Sequence, residues 1–327
     1  LRFLVLLQLP APGSQVLVAM ACSDGSTCCC AAVDTSTGIA DCSLVTAVAE
    51  RAFESCADVT SVTFGASLES IGPFAFKSSG LLGNLDLSGT SLATIGRRAF
   101  QNCRDVTSVT FGASLESIGD YAFTQSGLHG NLDLSGTSLA TIGTAAFAGG
   151  ECCTSVVFPA SLLSIGPQAF LCLGESTITA VDLSLAINLP TIGDFAFASC
   201  PALTSVTFGS SIESIESIGN SAFSYTGLSG ALDLITAASL NTIGDGAFSN
   251  TGLTSVIFAC GANVALGTDA LGPATRVDTC PPSLPPYPPP PSPPPPAASV
   301  PSPPPPSASP SPPPPSASPS PPPPSAS

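Results

Sequence analysis

The sequence predicts a solenoid of short parallel β-strands, followed by an extended proline-rich segment. The dipeptide Ala-Phe recurs nine times at intervals of 23 to 27 residues, which indicates one structural unit per recurrence. Apolar and polar residues alternate within each unit, as in residues 62–64 (V-T-F) and 85–87 (L-D-L), and this two-residue period is typical of half-buried strands. Residues 281–327 contain no Asp, Glu, Lys or Arg and consist mostly of Pro and Ser. We therefore expect a folded body and an unfolded tail.

The first 21 residues have the pattern of a signal peptide. Arg2 precedes an apolar run over residues 3–9, and Ala19 and Ala21 flank Met20 in a small-x-small cleavage pattern. We expect this signal peptide to be incomplete, because the chain begins with Leu1. The apolar run is shorter than the roughly 20 residues that a bilayer requires, so a membrane anchor is the weaker alternative. No other membrane insertion is expected.

Residues 22–47 are rich in cysteine and precede the first repeat, where the exposed end of an apolar core needs a cap. We interpret them as a disulfide-stapled N-terminal cap of undetermined connectivity. A zinc site is the alternative, but consecutive cysteines lack the C-x-x-C spacing that favours tetrahedral chelation. The cysteines of this segment are Cys22, Cys28, Cys29, Cys30 and Cys42.

The repeats fill residues 48–280 and carry a second, longer period. Residues 60–72 recur without change at 107–119, and residues 84–96 recur without change at 131–143, so two units were duplicated as a pair. Ten coils stacked about 4.8 Å apart give a rod of roughly 45–50 Å. The regular spacing of the Ala-Phe phenylalanines predicts that they form a buried column.

Residues 158–170, F-P-A-S-L-L-S-I-G-P-Q-A-F, resemble the BspA-like leucine-rich repeats. Cys56, Cys103 and Cys200 fall on the cysteine position of that family. The expected fold is a leucine-rich-repeat solenoid, in which about ten short parallel strands stack in one sheet with turns and short helical segments on the convex side. A disordered polyproline II tail follows it.

The remaining cysteines leave several pairings open. We expect Cys56, Cys103 and Cys200 to be buried free thiols by default. Cys172 and Cys200 occupy neighbouring coils and can pair instead, with Cys152 or Cys153 as a competitor for Cys172. Cys260 and Cys280 can close the C-terminal end.

Residues 281–327 form a proline-rich tail with repeated S-P-P-P-P blocks. Such a segment lacks backbone donors and favours extended polyproline II. The blocks resemble the hydroxyproline-rich, extensin-type segments of plant and green-algal wall glycoproteins. This resemblance implies proline hydroxylation, O-glycosylation and a stalk outside the cell. An unmodified linker or a ligand for SH3-like domains is the alternative.

The outward residues of successive strands predict a candidate ligand face. Aspartates recur in every second coil, about 10 Å apart, which is too far for two of them to share one calcium ion. A solvated acidic stripe is one interpretation, and a shallow surface for a cationic or sugar-like partner is the other. The candidate residues are Thr63, Asp86, Thr110, Asp133, Asp182, Thr207 and Asp233.

Composition and motifs argue against several functions. A net charge of −15 with seven Lys and Arg argues against nucleic-acid binding, which needs clustered cations. With one histidine, His129, and no carboxylate pair beside a base, the sequence predicts no catalytic, metal or cofactor site. We therefore expect a secreted or cell-surface recognition or adhesion protein, located at the cell wall or extracellular matrix, that binds a protein or glycan. A structural wall glycoprotein that acts through its tail is the alternative, and the oligomeric state is left open.

Overall fold

The computed structural model describes residues 33–34, 36–149, 153–174, 177–209 and 214–279. These residues belong to one compact unit of the chain. The predicted signal peptide, most of the cysteine-rich segment and the proline-rich tail lie outside them, so those predictions remain untested.

The described residues fold into β-strands and turns, and no helix occurs among them. The strands are β1 Val33–Asp34, β2 Ile39–Cys42, β3 Ala47–Val48, β4 Ser61–Phe64, β5 Ser70–Ile71, β6 Gly83–Leu87, β7 Thr94–Ile95, β8 Val106–Phe111, β9 Ser117–Ile118, β10 Asn131–Asp133, β11 Thr141–Ile142, β12 Ser155–Val157, β13 Ser164–Ile165, β14 Ala180–Asp182, β15 Thr191–Ile192, β16 Ser205–Thr207, β17 Ser217–Ile218, β18 Ser229–Leu234, β19 Thr242–Ile243, β20 Gly252–Ala259, β21 Ala265–Leu266 and β22 Thr275–Thr279. They confirm the predicted solenoid of parallel strands. We number its coils by their Ala-Phe dipeptides, so that coil 1 contains Phe53 and coil 4 contains Phe123.

The continuous ten-stranded sheet of the solenoid is built from dipeptides rather than from the alternating stretches that we expected to form it. Its strands are the odd-numbered ones from β3 to β21, and all neighbouring strands within it pair in parallel. Each odd-numbered strand from β5 to β19 is a Ser-Ile or Thr-Ile pair whose isoleucine is buried. Equivalent isoleucines such as Ile71 and Ile95 lie in register. This sheet forms one wall of the solenoid.

The alternating stretches form a second wall, which is divided among four small sheets. Their strand orders are β1-β2-β4, β6-β8, β10-β12-β14-β16 and β18-β20-β22. Each of the three breaks falls at a coil whose strand is entered through a glycine in the left-handed region, with φ of 71° at Gly83, 89° at Gly130 and 76° at Gly230. A positive φ turns the backbone away from the extended path, so the ladder to the preceding coil is interrupted there.

Turns replace the short helical segments that the sequence predicted. In most coils the residues two before and two after the Ala-Phe phenylalanine have positive φ, for example 59° at Arg51 and 60° at Ser55. Their backbone N–H groups point to the next coil, as does that of Phe53, which donates to Ala75 O at 2.6 Å. The left-handed conformation costs a non-glycine residue about 1–2 kcal/mol, and the inter-coil hydrogen bonds offset that cost. We call this segment of each coil the turn edge.

The phenylalanines of the Ala-Phe dipeptides form the buried column that the sequence predicted. Neighbouring rings are stacked with centroids 4.8 to 5.4 Å apart and planes within 11° of parallel. Strand phenylalanines contact the column edge-on, as Phe111 contacts Phe123 at 6.0 Å. Offset and edge-to-face contacts are the favoured aromatic geometries, so the column adds to the stability gained from burial.

Candidate functional site

The predicted ligand residues lie on the outer surface of the second wall, which we call the strand face. Thr63, Asp86, Thr110, Asp133, Thr207 and Asp233 are exposed there, and Asp182 is half-buried. Strand register places Asp86 opposite Thr110 and Asp182 opposite Thr207. Asp133 lies in the same sheet as Asp182 and Thr207, whereas Thr63 and Asp233 lie opposite Asp41 and Ile257. Because the second wall is divided among four sheets, the predicted residues do not form one unbroken row.

Each strand-face aspartate also closes the turn that follows its strand. Asp86 Oδ1 accepts the backbone N–H of Ser88 at 3.0 Å and its hydroxyl at 2.7 Å. Asp133 and Asp182 accept the N–H of Ser135 and Ser184 at 2.9 and 2.8 Å, and Asp233 accepts that of Ile235 at 2.9 Å. This Asx turn gives the aspartates a structural role that the sequence analysis did not assign.

The carboxylates of Asp86 and Asp133 are held in their ionised form. Hydrogen bonds from the side chain and then the backbone of Ser88 lower the pKa of Asp86, and those of Ser135 do the same for Asp133. Both residues therefore present a negative charge at neutral pH.

Polar side chains beside the aspartates bond across coils. Ser108 Oγ donates to Asn84 Oδ1 at 2.9 Å, and Ser155 Oγ donates to Asn131 Oδ1 at 2.6 Å. These bonds hold the four side chains in place on the strand face.

The cysteines correct part of the sequence analysis. Cys172 and Cys200 form a disulfide between neighbouring coils, with alpha carbons 5.2 Å apart, which is the alternative pairing that we left open. Cys56 was expected to be a free thiol and is instead disulfide-bonded, and Cys260 is disulfide-bonded as well.

Cys103 is a buried thiol, as the sequence predicted. The Cys103 thiol donates to Phe76 O at 3.0 Å, and burial raises its pKa to about 11. Cys42 and Cys153 are buried in the core. The candidates outside the described residues are Cys22, Cys28, Cys29, Cys30 and Cys280.

The turn edge of coils 1 to 4 carries a row of stacked cations and aromatic rings that sequence reasoning missed. The Arg51 guanidinium lies 4.7 Å from the Phe74 centroid, and the Arg98 guanidinium lies 5.8 Å from Phe74 and 5.1 Å from Tyr121. Lys77 approaches the same Phe74 ring at 5.5 Å. These residues stand two before, or one after, an Ala-Phe phenylalanine. Comparing that position between coils would have revealed the row.

Among the described residues, no group of three or more His, Cys, Asp or Glu side chains is placed to hold a metal ion. None of their segments forms a helix that is long and apolar enough to span a bilayer.

Stacked coils with a central phenylalanine column, inter-coil ladders and one exposed polar wall define a leucine-rich-repeat solenoid. The chain belongs to the family described as the BspA type leucine rich repeat region, whose model matches residues 39–149 and 140–270. A comparison of the sequence with curated proteins gave no match.

Several solved structures are similar to this chain. A leucine-rich repeat protein from Bacteroides ovatus is 23% identical, with a TM-score of 0.48 over 72% of this chain and 66% of its own. The pneumococcal vaccine antigen PcpA is 18% identical, with a TM-score of 0.35 over 74% of this chain and 78% of its own. A leucine-rich cell surface protein from Faecalibacterium prausnitzii is 16% identical, with a TM-score of 0.31 over 75% of this chain and 79% of its own.

Proposed function

We propose that this protein is a non-enzymatic recognition or adhesion protein, exported to the cell surface or extracellular matrix, whose solenoid binds a protein or glycan partner through the strand face. Membership of the BspA-type repeat family supports a binding role. A stack of coils in which each residue position recurs at a fixed spacing offers a broad, rigid surface, which is what repeat proteins use for recognition.

The observation that carries the proposal is the arrangement of the strand face. Its aspartates are fixed by Asx turns, and its Asn and Ser side chains are bonded across coils, as Ser155 is to Asn131. A surface with ordered, ionised carboxylates binds cationic groups or hydroxyl donors with little loss of side-chain entropy. We therefore expect a basic protein segment or a polyhydroxylated glycan as the partner.

Two features support export. The signal-peptide pattern of residues 1–21 directs a chain out of the cytosol. Disulfides persist in oxidising compartments, and both the Cys172–Cys200 bond and the oxidised state of Cys56 and Cys260 fit such a location.

The proposal is tested by retention of the secreted chain on extracts of cell wall and matrix. Changing the four strand-face aspartates to Asn removes their charge and keeps the oxygen that closes each Asx turn. We expect this variant to lose retention. The substitutions are Asp86→Asn, Asp133→Asn, Asp182→Asn and Asp233→Asn.

A charge-matched control removes four carboxylates elsewhere, and we expect it to be retained like the unmodified chain. Equal retention of the strand-face variant would contradict recognition through that face. The control substitutions are Glu50→Gln, Glu69→Gln, Glu116→Gln and Glu216→Gln.

A structural wall glycoprotein is the second candidate, because the S-P-P-P-P blocks of residues 281–327 resemble those of wall glycoproteins that act through their glycosylated proline segments. In that case retention follows the tail. A chain that ends after Cys280 would be released, while the strand-face variant with its tail would still be held.

A further inference from the structure

The duplicated pair of coils provides a comparison within one molecule. Residues 50–96 and 97–143 align without a gap and differ at nine positions, all of which lie on the turn edge or in the corner between that edge and the next strand. The sequences of their strands are identical. The differences are Glu50 against Arg97, Glu54 against Gln101, Ser55 against Asn102, Ala57 against Arg104, Pro73 against Asp120, Phe74 against Tyr121, Lys77 against Thr124, Ser78 against Gln125 and Leu82 against His129.

The two copies differ in charge at these positions. In the first copy Glu54 pairs with Arg51 at 3.1 Å and with Lys77 at 3.0 Å, so the cations there are neutralised. In the second copy Arg97 and Arg104 are exposed, and neither forms an ion pair within the described part of the chain. A chain with a net charge of −15 therefore presents unpaired guanidinium groups on one edge of coils 3 and 4.

A cleft lies at the corner of coils 3 and 4, and we call it the corner cleft. It has a volume of about 570 Å³, and its lining includes Arg104, Asp105, Gln125 and His129. Gly127 forms part of it, and any side chain there would overlap the carbonyl oxygen of Arg104. The backbones of the two coils are thus in direct contact, and the longer side chains on either side form the walls of the cleft.

The same corner of coils 1 and 2 has the same backbone and different walls. Gly80 stands against the carbonyl oxygen of Ala57 in the way that Gly127 stands against that of Arg104. Ala57, Ser78 and Leu82 occupy the places of Arg104, Gln125 and His129. The chemistry of the corner cleft is therefore not required by the fold.

The polar groups of the corner cleft define a ligand class. A guanidinium group binds carboxylates and sulfates through paired, charge-assisted hydrogen bonds. His129 Nδ1 lies 3.0 Å from Gly127 O, and the tautomer that donates this bond leaves Nε2 to accept one from a ligand. The Asp105 carboxylate also accepts hydrogen bonds and repels a bare anion. A ligand that fits carries one anionic group together with hydroxyl donors.

We propose that the corner cleft binds an acidic sugar residue, whose carboxylate or sulfate pairs with Arg104 while its hydroxyls donate to His129 Nε2 and to Asp105. Arg97 and Arg98, on the same edge, attract the further anionic residues of a polysaccharide. The site is distinct from the strand face, and its ligand is of the opposite charge.

Calorimetric titration of the full chain tests this site. The probes are an oligogalacturonide, a sulfated oligosaccharide, a neutral galacto-oligosaccharide of equal length, an acidic peptide and inorganic sulfate. We expect one of the two acidic sugars to bind clearly more tightly than the neutral sugar, the peptide and sulfate, and which of them binds identifies the anionic group. Equal binding of the peptide or of sulfate would reduce the cleft to a non-specific cationic patch and overturn the proposal, as would no binding of either acidic sugar.

The equivalent residues of coils 1 and 2 provide the substitutions that test the corner cleft. Combining R104A, Q125S and H129L installs the residues that the same backbone carries in coils 1 and 2, so the thermal midpoint should not change. We expect affinity for the acidic sugar to fall at least about tenfold, because charged hydrogen bonds are lost. Arg97→Gln removes one charge outside the cleft and should change affinity by less than about threefold. An equal loss in both variants would contradict a defined site.

The reverse transfer gives a second readout. Introducing A57R, S78Q and L82H into coils 1 and 2 should create a second cleft and raise the stoichiometry of sugar binding from one to about two, since each cleft takes one sugar residue. An unchanged stoichiometry would show that these three residues do not make the site. The strand-face Asn variant should keep its sugar affinity, so that failure of the proposed function and failure of the corner cleft are told apart.

Discussion

The Asp86 carboxylate contributes both charge and turn geometry to the strand face. Its Oδ1 accepts the N–H and the hydroxyl of Ser88, so the side chain is ordered. The D-L-S sequence predicted an outward aspartate, and the structure confirms that position. The Asx turn could not be read from the strand pattern, because it depends on a local side-chain conformation that leaves no periodic trace in the sequence.

The aspartate hydrogen bonds predict a pH dependence of stability. A carboxyl whose pKa is lower in the folded than in the unfolded chain stabilises the fold at pH values above its unfolded pKa. That stabilisation is lost as the pH falls through the folded pKa. Asp86 and Asp133 have such lowered pKa values. The D86N and D133N pair cannot titrate at these positions, so its melting temperature should fall less than that of the unmodified chain as pH falls from about 5 to about 2. Parallel melting curves across that range would contradict the role of these hydrogen bonds.

The phenylalanine column predicts a large loss of stability on truncation. Phe123 stacks between Phe100 and Phe147 with centroids 5.1 and 5.3 Å away, and it is fully buried. Phe123→Ala should cost about 3–5 kcal/mol of unfolding free energy, because it leaves a cavity in a packed core. Tyr225→Ala removes an aromatic ring that is 60% exposed, and we expect little change. Chemical denaturation measures both, and similar costs would refute the column.

At the level of the coil, the sequence predicted the unit and its length but assigned the continuous sheet to the wrong stretch. Alternation made residues 62–64 and 85–87 the clearest strand candidates, and they are strands. Their ladder is interrupted because Gly83 enters β6 with a positive φ. The continuous ladder runs through two-residue strands such as Ser117–Ile118, which are too short to show alternation.

The glycine that follows each of these short strands from β5 to β21 lies against the backbone of the preceding coil and leaves no room for a side chain. A Cβ on Gly96 would lie 2.6 Å from the carbonyl carbon of Gly72 and from Pro73 N in the preceding coil, so the backbones would have to separate. Gly96→Ala should therefore cost more than about 2 kcal/mol. Gly136 has no atom within 4 Å of such a Cβ, and Gly136→Ala should change stability by less than about 0.5 kcal/mol. Equal unfolding free energies for the two variants would contradict this account of the Ile-Gly motif.

Across the described stack, each coil packs mainly against its neighbours, so stability is close to a sum of local terms. The corner cleft follows from this independence, because Arg104 and His129 replace Ala57 and Leu82 without altering the identical strands on either side. Composition gave no sign of such a site, since the chain has seven cations against 22 acidic residues. Clustering of cations on one edge is a property of the stacked coils, and it appears only when equivalent residues of successive coils are compared.

The same independence predicts where the described stack begins to unfold at its C-terminal end. Arg276 in β22 lies over the Phe258 ring at 4.8 Å, donates to Ala262 O at 2.6 Å and pairs with Asp278 at 3.0 Å, so it covers core that no later described coil covers. Arg276→Ala should speed hydrogen exchange of backbone amides in residues 252–279 and leave that of residues 84–143 unchanged, because the lost contacts belong to the last coil alone. Arg276→Lys keeps the charge and loses the planar group that spans both contacts, so an intermediate rate is expected. Faster exchange throughout the solenoid would mean that the coils unfold as one unit, and the additive description of this molecule would then be wrong.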